Sequence, residues 1–169
     1  MKINASLASG LGLRSNIVET VYDLAEDSDQ RLHLVQRLGI LNLSYWQDIA
    51  NLLVNDPSPD VRGELALSLG ATKDDKAELL LRELANDDAW QVRQKAALAA
   101  SRHESEAALT LVAKLFEDPE PRVVATAQKV FFLWLHSIQN SRPRFIRGMV
   151  SPFLQSQRAL HQAKMKHPG

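Results

Sequence analysis

The chain contains no cysteine, which excludes a disulfide framework, a thiolate metal site and a cysteine nucleophile. No apolar run approaches the ~20 residues needed to span a bilayer. Met1–Ser15 carries one lysine and nothing that resembles the apolar core of a secretion signal,. A soluble, cytoplasmic protein is the expectation. No carboxylate follows Glu120, so the formal net charge of zero conceals a separation. All 20 acids lie at or before Glu120, whereas Arg122, Lys129, Arg142, Arg144, Arg147, Arg158, Lys164 and Lys166 follow it. Such asymmetry marks an interacting face or tail.

What the chain does have is a period. Val61, Val92 and Val123 stand 31 residues apart, and Asp56, Asp87 and Asp118 precede them at the same interval. Ile49, Leu80 and Leu111 form a further row, as do Leu53, Leu84 and Leu115. A repeat of this length signals units that cannot bury an apolar face alone and stack to do so. At 169 residues the whole is one domain,.

Each unit reads as two helices around a tight turn. Ser44 with Gln47 forms a capping box, and Trp46, Ile49, Ala50, Leu53 and Val54 follow at helical spacing,. Asn55-Asp56-Pro57 ends that helix. Ser58 is placed to cap the next, with Pro59 at its first position, Val61, Leu65, Ala66 and Leu69 on its buried stripe and Gly70 as its stop,. The expected fold is all-α: an α-α superhelix of about four such pairs, at 15–41, 43–71, 74–102 and 105–136 within an array spanning 15–141. An N-terminal arm (1–14) precedes it. A basic capping helix and tail (142–169) follows, with Phe145, Ile146, Met149, Val150, Phe153 and Leu154 on the apolar face of the helix and Pro152 ending or kinking it,. The first pair looks diverged, its Leu32 preceding Val61 by 29 residues rather than 31. Small residues at Ala96, Ala97 and Ala127 suit close approach, so the second helices form the packed inner layer.

Asp56-Pro57-Ser58-Pro59-Asp60-Val61-Arg62, with Leu65-Ala66 and Leu69-Gly70 after it, resembles the HEAT-repeat signature, in particular the PBS-lyase-like variety. Asp87–Arg93 followed by Ala96-Ala97 matches it, and Asp118–Val123 matches until Val124 replaces the arginine. The resemblance implies an aspartate–arginine ladder between neighbouring units, lost at the third repeat, and second helices lining a concave surface. It also brings enzymes into consideration. Deoxyhypusine hydroxylase is similar in architecture and holds two irons with several His-Glu pairs. Here one pair, His103-Glu104, stands in a turn; an exposed turn dipeptide is the expectation,. Phycobilin lyases resemble the repeat, but nothing marks a chromophore pocket. HEAT-like DNA glycosylases use a basic channel, whereas residues 1–120 are net acidic,. Asp74-Asp75 and Asp87-Asp88 precede helices, where carboxylates cap free N–H groups and complement the dipole. No catalytic residue, metal or cofactor is expected.

The outward positions of the second helices are Asp60, Gly63, Glu64 and Leu67, then Gln91, Gln94, Lys95 and Leu98, then Arg122, Ala125, Thr126 and Lys129. Charge runs from negative to positive along them over an apolar floor of Leu67 and Leu98. Trp90, at a first-turn position held by Pro59 and Pro121 in the other units, is either packed against the next unit's turn or a contact anchor,. The expected function is a non-enzymatic scaffold taking a peptide or helix of another protein in a groove of Asp60, Glu64, Leu67, Trp90, Gln91, Gln94, Lys95, Leu98, Arg122 and Lys129. Head-to-tail self-association is compatible with the same polarity. The alternatives are binding of nucleic acid or an acidic membrane through Arg142, Arg144, Arg147 and Arg158, or an accessory role like that of the lyases.

Overall fold

The computed structural model describes residues 27–41, 46–72, 74–103 and 105–140. The arm, the first helix of the first pair, Ser44, Glu104 and the basic segment from Arg142 lie outside the described residues. Within them all regular structure is helical: α1 (Ser28–Leu41), α2 (Trp46–Leu53), α3 (Pro59–Leu69), α4 (Asp75–Leu84), α5 (Trp90–Ala100), α6 (Glu106–Lys114), a 3-10 turn (Leu115–Glu117) and α7 (Pro121–Asn140). No helix among the described residues is long and apolar enough to cross a membrane.

The apolar rows become one continuous core. Ile49, Leu53, Leu80, Leu84, Leu111 and Leu115 from the first helices meet Val61, Leu65, Val92, Ala96, Val123 and Ala127 from the second, all buried. Neighbouring second helices α1, α3, α5 and α7 pack broadly on one another, whereas neighbouring first helices touch sparingly. The chain therefore stacks as an α-α solenoid whose inner layer is the second-helix layer, drawn together by small side chains. Gly70 is part of that closeness. Its backbone is ordinary right-handed helix (φ −61°, ψ −22°), so it does not end α3 by adopting the left-handed region. A Cβ there would lie 2.9 Å from the Cα of Ala99, and the position requires glycine because α5 passes so near,.

The ladder ties one turn to the next. Arg62 Nε and Nη2 donate to Asp87 at 2.6 and 2.9 Å. Arg93 does the same to Asp118 at 2.7 and 3.0 Å. A third rung, Arg31 to Asp56 at 2.5 and 3.2 Å, precedes them. Arg31, Arg62 and Arg93 keep the 31-residue interval, so α1 is in register with the later second helices. The 29-residue offset came from matching Leu32 to the valine row, whose true place in α1 is held by exposed Gln30. At the third repeat Val124 ends the arginine column, as expected.

Each aspartate does two jobs. Oδ1 of Asp56, Asp87 and Asp118 also accepts the backbone N–H two residues on, at 2.8, 2.8 and 2.9 Å, closing the turn before the second helix. Ser58 occupies the N-cap position, but its hydroxyl makes no capping bond and Asp56 holds that turn instead. Asp74 caps α4 through Lys76 N–H, and Ser105 caps α6 through Ala108 N–H. Arginine heads complete the turns by donating to the carbonyls of Asp56 and Asp87.

Candidate interaction groove

The face of the second helices that looks away from the core is built by helical spacing. Positions four and seven residues after Asp60, Gln91 and Arg122 rise on one side of α3, α5 and α7, and stacking places them in columns. The columns are Asp60–Gln91–Arg122, Glu64–Lys95–Thr126 and Leu67–Leu98–Lys129. Asp60, Gln91, Leu98, Arg122 and Lys129 are exposed, while Glu64, Leu67, Trp90, Gln94 and Lys95 are half-buried. The structure thus places the ten expected residues on one layer. Lys129 continues the leucine column, and the charged column of Glu64 and Lys95 ends at neutral Thr126.

Neighbouring units are cross-tied along this face. Lys95 Nζ stands 4.0 Å from Glu64 Oε2, a long ion pair between half-exposed side chains. Gln94 Nε2 donates to Thr126 Oγ1 at 3.0 Å. The Arg122 guanidinium lies 4.8 Å from the centre of the Trp90 ring, within cation–π range,. Trp90 is therefore both half-buried and engaged with the next unit. Gly63, expected to point outward, is buried because the Lys95 stem lies across it; a Cβ there would come within 2.8 Å of Lys95 Cδ. Glu64 and Lys95 are a long pair beyond hydrogen-bond distance, and the exposed side chains of the face are Asp60 at one end, Gln91 and Leu98 in the middle, the latter at 49% exposure, and Arg122 and Lys129 at the other end.

The carboxylates that attract attention elsewhere are committed. A cleft of about 510 Å³ opens at the edge of the array among Val54, Asn55, Asp56, Pro57, Arg62, Glu83, Asp87 and Asp88. Asp56 and Asp87 within it are bound to arginines and backbone N–H groups. Further along the ladder, the hydrogen bond from Arg93 holds the Asp118 carboxyl below the usual carboxylate range against the opposing effect of burial, with Glu120 N–H adding to it. The same pairs raise the affinity of Arg62 and Arg93 for their protons.

His103 overturns its expectation. It is buried, not exposed: Nε2 lies 3.2 Å from the Leu69 carbonyl and Nδ1 3.3 Å from Glu78 Oε1. Ser105 Oγ donates to the other Glu78 oxygen at 2.9 Å. The ring joins three segments, adding a second partner to a carbonyl at the end of α3 that also accepts Thr72 N–H at 3.0 Å. Trp134 Nε1 donates to the Ser101 carbonyl just past α5 at 3.3 Å, and Ser68 Oγ to the Val35 carbonyl in the middle of α1 at 3.1 Å. Their wide separation along the chain hid these contacts from a reading of local pattern. Among the described residues no group of three His, Asp or Glu side chains is arranged to hold a metal ion.

A family model for HEAT repeats matches residues 47–130. The chain is a HEAT-repeat protein. The match covers α2 through the first half of α7, including two of the three rungs and all of the columns described above. Among curated proteins nothing matches. HEAT repeats generally mediate protein–protein interaction, so the face that stacking leaves outward is the natural place to look for a partner.

Proposed function

We propose that this HEAT-repeat protein is a non-enzymatic scaffold that takes a segment of another protein along the inner face of α3, α5 and α7. The observation that carries the reading is Leu98, a leucine half open to water at the centre of a face with a carboxylate at one end and two cations at the other. An isolated exposed leucine needs no explanation. This one extends the column of Leu67 and lies between groups of opposite sign, an arrangement suited to a helical or extended segment with a basic end toward Asp60 and an acidic end toward Arg122 and Lys129.

Apolar contact at Leu67 and Leu98 supplies affinity; the terminal charges fix direction and speed encounter. Affinity capture with the whole chain tests the reading, compared with Leu98→Asp/Lys129→Glu. The expected result is a partner lost in the variant while helicity and urea midpoint stay near wild type. An unchanged partner would sink the groove. Binding of nucleic acid through the basic C-terminal residues would instead appear as affinity falling steeply with salt and indifferent to the Leu98 change. Head-to-tail self-association would appear as a concentration-dependent mass.

A further inference from the structure

The inner face is not uniform in charge. α3 carries Asp60 and Glu64 on it, whereas α5 and α7 contain no carboxylate between them and place Lys95, Arg122 and Lys129 on the same layer. The remaining Lys or Arg of these two helices, Arg93, is bonded to Asp118 in the ladder. α5 and α7 are also firmly tied to each other. Gln94 Nε2 donates to Thr126 Oγ1 at 3.0 Å and reaches the Arg122 carbonyl at 3.5 Å, and Thr126 Oγ1 donates to that carbonyl at 2.9 Å. The backbone of Arg122 is thereby held to the preceding unit, while its guanidinium lies 4.8 Å from the centre of the Trp90 ring. The side chain is nonetheless 67% exposed, its Nε stands 3.8 Å from Glu120 Oε1, and its guanidinium N–H groups have no hydrogen-bond partner among the described residues. A guanidinium steadied by an aromatic ring, with its N–H groups unbonded, presents the planar fork that matches a carboxylate.

Lys129 follows Arg122 on α7 by two helical turns, about 10 Å along the axis,. Leu98 stands level with Lys129 on α5, one 31-residue interval away. We propose that the α5–α7 half of the groove is a receptor for an acidic segment of the partner, in which Arg122 takes one carboxylate, Lys129 a second and Leu98 an apolar side chain. The proposal rests on the groove reading and gives it a partner chemistry. Two carboxylates about seven residues apart on a helix, or about three apart on an extended strand, span the same distance. A nucleic acid suits this face less well. Asp60 and Glu64 lie at one end of it and Glu120 beside Arg122, so a polyphosphate would meet carboxylates where it needs cations.

A displayed library of random peptides panned on the intact chain tests this, with the recovered peptides synthesised and titrated. They are expected to carry paired Asp or Glu at one of those spacings with an apolar residue between. Arg122→Gln should weaken them by about fivefold, and Arg122→Lys, which keeps the charge but not the fork, should recover only part of that loss. Leu98→Asp should abolish their binding. Peptides with no preference for acids, or unaffected by Arg122→Gln, yet lost in Leu98→Asp, would leave the groove standing and overturn the acidic receptor. Recovery of no peptide, or of peptides indifferent to both substitutions, would overturn both. A single-stranded oligonucleotide that binds as tightly as the acidic peptides and competes with them would also overturn the proposal, assigning the cations to phosphates.

Discussion

Removing one arginine from the ladder should cost far more than a surface ion pair is worth. In the Arg62–Asp87 rung the side chains are 15% and 8% exposed, and Arg62 makes two bonds to the carboxylate and one to the Asp56 carbonyl. Charge-assisted bonds of this kind are worth about 1.5–3 kcal/mol each before desolvation is subtracted. Breaking a largely buried pair by deleting one member costs about 3–5 kcal/mol. Because Arg62 keeps some contact with water, Arg62→Met is expected at the lower end, about 3 kcal/mol. Asp87→Asn retains an oxygen for the Ala89 N–H and should cost less, about 1–2 kcal/mol. With either partner gone the other has less to lose, so the double variant should fall short of the sum by at least about 1 kcal/mol. Urea unfolding followed by circular dichroism at fixed salt measures all three. Losses that add to within about 0.5 kcal/mol, or an Arg62→Met cost below about 1 kcal/mol, would refute the claim that the rung is a coupled, desolvated unit.

Other outcomes follow from the same geometry. Gly70→Ala puts a Cβ against the Ala99 backbone and should cost about 1–3 kcal/mol. Gly63→Ala meets only the movable Lys95 stem and should be neutral or stabilising by up to about 1 kcal/mol through helix propensity; paired thermal melts distinguish them. Asp118 is held ionised by Arg93. Its folded pKa is depressed, so its contribution is fully present above the ordinary carboxylate value near 4 and is lost as pH falls through the folded one. Asp118→Asn should therefore flatten part of the fall in stability below about pH 4 in acid titrations of the urea midpoint. His103→Phe keeps ring volume but removes one of two partners from the Leu69 carbonyl, which keeps Thr72 N–H, and from Glu78, which keeps Ser105 Oγ, and should lower stability by about 0.5–1.5 kcal/mol in the same assay.

The architecture was legible because each stacking contact is made by a column that repeats. Val61, Val92 and Val123 announce themselves at any alignment, and the aspartate and arginine columns follow. The reading failed where a column changed type. Gln30 in the valine row disguised the register of α1, which Arg31, Leu34 and Val35 preserve. The groove was legible as a set of residues but not as a pattern of engagement. Sequence spacing puts Glu64 and Lys95 on the surface, but not the Lys95 stem across Gly63 or the Arg122 guanidinium over the Trp90 ring. The burial of His103 was invisible because its partners, Leu69 and Glu78, sit on other elements, 34 and 25 residues away in the chain.

The most direct test of the central claim is the hydrogen-exchange footprint of the partner recovered by capture, measured on the intact chain. Slowed exchange in Gln91–Leu98 and Arg122–Lys129, with α4 and α6 unchanged, is the predicted result. Protection confined to α4 and α6, or to residues 141–169, would contradict it.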